Sequence, residues 1–141
     1  MANLTADTVR KYQGGVEPMF EQFPMTASVK AYQGSAMGHA SGNAKILANT
    51  DTVFIGFAER QADNSAGIAG AVDVTVRQRG MVELSVTGVT TTTAPGTGIY
   101  ASDGNTFTTT STSNKQIGKL VRAVSAGVAI VYFEATGLTS V

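Results

Sequence analysis

A chain of 141 residues holds one compact domain with an extension, not two full domains. Ten basic and ten acidic residues cancel, and only 14% of the chain is charged where about 25% is usual. No face is basic enough to neutralise phosphates, so direct nucleic-acid binding is not expected; the absence of cysteine excludes disulfides and thiolate metal sites.

In chain order, the first 24 residues stand apart. The start, Met1 to Arg10, is polar and leads into no apolar stretch of the secretory kind, so synthesis in the cytoplasm is expected. Pro18 and Pro24 fix φ and remove two backbone donors, which argues against a central strand. No helical or sheet period runs through Val16 to Phe23. Tyr12, Met19, Phe20, Phe23 and Met25 are nevertheless large and apolar, and leaving such groups in water costs roughly 1.5–3 kcal/mol each. Residues 1–24 therefore read as an ordered arm lying on something, and residues 25–141 as the domain proper.

From Thr26 the pattern is strand after strand. Ala27, Val29 and Ala31 alternate with polar neighbours, as do Val53, Ile55 and Phe57 within Asp51 to Glu59. The stretch Val72-Asp73-Val74-Thr75-Val76-Arg77 has strict period two. Val82, Leu84 and Val86 resume that period after a break at Gln78-Arg79-Gly80. Thr90 to Gly98 reads as an exposed loop. Ile99 to Ala101 and Phe107 to Thr109 flank Ser102-Asp103-Gly104-Asn105, where Asp-Gly predicts a hairpin turn with positive φ. Gln116 to Val124 and Gly127 to Glu134 complete the set, and the last is apolar on both faces, as a fully buried strand would be. That apolar run, Val128 to Phe133, is too short to span a bilayer as a helix, and no membrane association is expected. Ile55-Gly56-Phe57-Ala58-Glu59-Arg60 echoes Ile117-Gly118-Lys119-Leu120-Val121-Arg122. No amphipathic helix of three turns appears. The expected fold is all-β: a small β-barrel or β-tulip-like single domain with an extended N-terminal arm.

Catalysis requires titratable or nucleophilic groups brought together. The one histidine, His39, sits in Gly38-His39-Ala40-Ser41-Gly42 and reads as a turn residue. No Gly-x-Ser-x-Gly elbow presents a serine. The carboxylates Asp63, Asp73, Glu83, Asp103 and Glu134 are scattered. Asp63-Asn64-Ser65-Ala66-Gly67 carries oxygen donors but reads better as a turn, and Gly96-Thr97-Gly98 lacks the rest of a phosphate-cradling loop. No enzyme activity, cofactor or metal is expected. A receptor- or glycan-binding β module of a phage fibre or adhesin is the alternative reading; sugar stacking favours exposed aromatics, and tryptophan is absent.

The order of parts from Ala31 to Phe133 resembles the capsid cement, or head decoration, proteins of tailed bacteriophages. The elements that carry the resemblance are Ile55-Gly56-Phe57-Ala58, the Val72 to Val76 strand with Arg79-Gly80-Met81-Val82, Gly96-Thr97-Gly98-Ile99-Tyr100 with the Asp103-Gly104 turn, Ile117-Gly118, and Gly127 to Val131. Each is common alone; their order over roughly 100 residues is the specific feature. The resemblance implies a barrel-like domain on the outer capsid surface of the virion at capsomer junctions, bound to the major capsid protein. It implies a homo-oligomer, most often a trimer. The arm is longer than the family's usual lead-in. Tyr12, Met19, Phe20, Phe23 and Met25 are the candidate contacts to the capsid or to a neighbouring copy.

Overall fold

The computed structural model describes residues 3–15, 17–50 and 53–136; of the arm, residues 1, 2 and 16 lie outside the described set, as do 51, 52 and the last five. Twelve strands form and no helix does among these residues. They are β1 (Lys11–Gln13), β2 (Met19–Pro24), β3 (Val29–Ala31), β4 (Ala36–Ala40), β5 (Asn43–Ile46), β6 (Val53–Ala58), β7 (Ala62–Asn64), β8 (Asp73–Thr87), β9 (Gly98–Asp103), β10 (Thr106–Thr108), β11 (Lys115–Ser125) and β12 (Val128–Glu134).

The organising element is β8, at fifteen residues. The pause at Gln78-Arg79-Gly80 does not break it: one strand runs through both expected segments, with buried residues at 74, 76, 80, 82, 84 and 86. Along one edge it pairs with β12 and, further toward its start, with β6. The other edge takes β2, then β1, then β10 in parallel. Because β10 also pairs with β9, the series β8-β12-β11-β9-β10 returns to β8 and closes a five-stranded barrel. Closure removes the unpaired edges an open sheet would present.

Two cores result. The barrel interior holds Phe54, Phe57, Phe107, Phe133 and aliphatic residues of β8, β9, β11 and β12. Phe133 is its hub, with ring centroids 4.9 Å from Phe57 and 6.5 Å from Phe54. The second core lies under β2, β4 and β6 and holds Met25, Met37, Ile55, Val74 and Val76. The small sheet β3-β7 covers one side of it.

The arm lies on the sheet as two edge strands, β1 and β2, on β8, with Tyr12 opposite Val82 and Phe23 opposite Val74, and three expectations are corrected. Pro24 is tolerated because it ends β2, whose outer edge needs no donor there. Met25 is fully buried and its amide donates to Val72 O at 2.9 Å, so it is a core residue and not a contact to another molecule. His39 lies on β4, its ring 5.8 Å from Phe23 in an edge-to-face arrangement. The Asp103-Gly104 turn uses no positive φ; instead the Asp103 carboxylate accepts from Asn105 N and Thr106 Oγ1. Glycine is needed at 104 because a Cβ there would sit 2.6 Å from Ser35 Oγ and Ile46 Cγ2.

Candidate interaction surface

The residues before β1 form a strap across one end of the barrel. Asn3 Oδ1 accepts from Gly104 N at 2.8 Å, Asp7 Oδ1 accepts from Gln33 N at 2.9 Å, and Thr8 N donates to Gln33 O at 2.9 Å. Arg10 is the anchor. Its Nε donates to Gly34 O at 2.8 Å and its Nη2 to Asn105 Oδ1 at 2.9 Å. The guanidinium carbon lies 5.6 Å from the ring centroids of both Phe57 and Phe107. Burial lowers the Arg10 pKa from its usual value, while Tyr12 acts the other way. A cation in this position is held by two charge-assisted bonds and two aromatic faces, which replace much of its lost hydration.

Beyond the strap, β1 places Tyr12 against the core, 6.1 Å from Phe133. Arg77 of β8 crosses the Tyr12 ring at 3.8 Å and lies 5.1 Å from the Phe20 ring, so one guanidinium holds both arm strands. Its Nε stands 3.6 Å from Glu59 Oε1, too long for a hydrogen bond. Burial pushes the Tyr12 phenol up to about 12. An open depression of about 180 Å³ remains between strap and sheet, lined by Arg10, Tyr12, Gln33, Gly34, Glu59 and Arg77. Among the described residues no group of three or more His, Asp or Glu side chains is placed to hold a metal.

The five candidate contact residues thus separate. Tyr12 and Met25 face the protein's own core, and Phe23 is half-buried between Val74 and His39. Met19 and Phe20 stay outward, Phe20 at 47% exposure. Both lie on β2, whose residues 19–23 pair with β8 on one edge only. Further outward apolar residues were not singled out in the sequence. Ile68, 78% exposed, tips the loop between β7 and β8. That loop is pinned from below, where the buried Asn64 Nδ2 donates to Ile68 O at 3.0 Å and to Thr26 O at 2.9 Å. Val121 and Val124 are exposed on β11. Each is the extra residue of a β-bulge: the pairing with β12 skips from Leu120 to Arg122 and from Ala123 to Ser125. Sequence period cannot reveal a bulge, because one inserted residue looks like a faulty alternation.

No protein-family model matches the chain, and no curated protein matches it either. The class defined by the geometry is an all-β single domain with a five-stranded barrel and a strapped, strand-paired N-terminal segment.

Proposed function

We propose that this chain is a structural decoration subunit. It binds the outer surface of a tailed-phage capsid at junctions between capsomers, as a homo-oligomer of three copies, and acts by adding buried interface and not by chemistry. The observation that carries the reading is the outward display of apolar side chains, Met19, Phe20, Val121 and Val124 on strands and Ile68 on a pinned loop, around a barrel whose own interior is already filled. The ordered series of motifs, which resembles that of cement proteins, and the sparse charge support it. A standard interface buries roughly 1,600 Å² in total. Repeated around a shell, even a modest surplus of affinity per site raises the work needed to part neighbouring capsomers.

The test is direct. Purified protein is incubated with emptied shells lacking their decoration, pelleted, and quantified. Saturable co-sedimentation, together with a higher temperature of shell disruption, is the expected result. Protein that stays in the supernatant at micromolar concentration, with shells no more resistant than before, overturns the reading.

A further inference from the structure

Two of the strand edges without partners among the described residues differ in charge. On β2 the free edge spans residues 19–23, with Met19 and Phe20 exposed. Glu21 is exposed on the same strand and Glu17 just precedes it. Neither carboxylate meets a cation: Glu21 accepts only from the Gln22 amide, and Glu17 is contacted only through its carbonyl, by Arg79. On β11 the strand bonds β9 as far as Lys119, and Leu120 bonds Thr97 and Gly96. Past that point residues 121–125 bond β12 alone, so their other edge is open. That end carries exposed Lys119, Val121, Arg122 and Val124. Lys119 and Arg122 make no ion pair with any described residue either. From Thr87 to Gly127 the chain contains a single acidic residue, Asp103, and its carboxylate is engaged within its own turn.

The two edges match in kind: an open backbone, two apolar side chains and two unpaired charges, acidic on β2 and basic on β11. A surface that meets a different surface on its partner is heterologous, and its rotation either closes a ring or runs on as a chain. Strand addition at an exposed edge supplies backbone bonds, while side chains and charges set the register and choice of partner.

We infer that the β2 edge of one copy docks on the distal β11 edge of a second copy, with Glu17 and Glu21 set against Lys119 and Arg122 and the Met19-Phe20 pair against Val121 and Val124. This rests on the self-association in the proposed function and names the surfaces that form it. It reserves Met19 and Phe20 for the neighbouring copy.

Charge reversal in the full chain tests it, read by sedimentation equilibrium. The doubly reversed proteins Glu17→Lys with Glu21→Lys, and Lys119→Glu with Arg122→Glu, are each expected to dissociate at concentrations at least roughly tenfold higher than the wild type, since like charges then face each other. Combining all four reversals in one chain restores opposition and is expected to restore assembly. The neutral pair Glu17→Gln with Glu21→Gln keeps the fold under milder change and is expected to weaken the dependence of assembly on salt. A monomeric wild type, reversed proteins that assemble like the wild type, or a fourfold variant that is not rescued each overturn the pairing. Shell co-sedimentation is read separately. Decoration by protein whose assembly ignores these charges overturns this pairing alone, and charge-dependent assembly that leaves shells bare overturns the shell reading alone.

Discussion

At the scale of single residues, the two glycines of the echoed hexapeptides share a physical cause. A Cβ on Gly56 would lie 2.3 Å from Arg77 O, and one on Gly118 would lie 1.9 Å from Tyr132 O. In each case the backbone passes against the following long strand too closely for any side chain. Gly56 also has φ of +125°, where other residues are strained by about 1–3 kcal/mol. Gly56→Ala is therefore expected to destabilise the protein by about 2 kcal/mol or more, measured by urea denaturation, with the bulge that β6 makes against β4 disturbed. Tyr12 offers a pH test. Its phenol, near 10 when unfolded, is held up to about 12 in the fold, chiefly by burial. The folded state thus keeps a proton that the unfolded state releases, so stability is complete below pH 10 and declines as pH rises toward 12. Tyr132 is also raised, chiefly by its hydrogen bond to Glu134, so phenolate absorbance of the four tyrosines should show two titrating late, and Tyr12→Phe should remove the phase near 12.

At the scale of elements, the strap and β1 are secured by cations more than by apolar period. Arg10 bonds two loops that are distant in sequence and stacks on two core rings. Losing it leaves Gly34 O and Asn105 Oδ1 without that donor. Arg10→Ala is expected to cost about 2 kcal/mol and to raise amide exchange at Thr8 and Gly34. Arg10→Lys should recover little, since an ammonium cannot donate in two fixed directions and stack at once. Should Lys restore wild-type protection, charge alone would be the anchor. The bulges at Val121 and Val124 belong to this scale too. The first shifts the alternation by one residue, so that Arg122 and Val124 face outward where a regular strand would have turned them to the same side as Leu120.

At the scale of the whole molecule, β8 joins everything: the barrel through β12 and β10, the second core through β6, and the arm through β1 and β2. Its two edges are occupied along most of their length by non-neighbouring segments. A chain beginning at Met25 would expose one edge of β8 at residues 73–79 and 81–83, and would uncover Phe133 where Tyr12 packs. Such a truncation is expected to lower the melting temperature by on the order of 10 °C or more and to aggregate through the bared edges, followed by circular dichroism and light scattering. A truncated protein that melts like the full chain would show the domain folding without its arm.

How much was legible in the sequence follows from which interactions are local. Period two marked β3, β6 and β8, and a run apolar on both faces marked β12, because both patterns are written into neighbouring residues, and the abundance of short strands with no helical period was enough for the all-β class. The apolar character of the arm was equally visible. Its fate was not: whether Tyr12, Phe23 and Met25 face inward while Met19 and Phe20 face outward depends on pairing with β8, more than fifty residues away. The strands β4 and β5, rich in alanine and glycine, carried too little side-chain contrast to read, and the continuity of β8 through Gly80 depends on the Phe133 ring packed over that glycine. Composition and period determined what kinds of strand this chain can make. Only the tertiary structure decided which edges close into a barrel, which charges are used up inside, and which remain free on β2 and β11, because those outcomes depend on contacts between residues that no local pattern brings together.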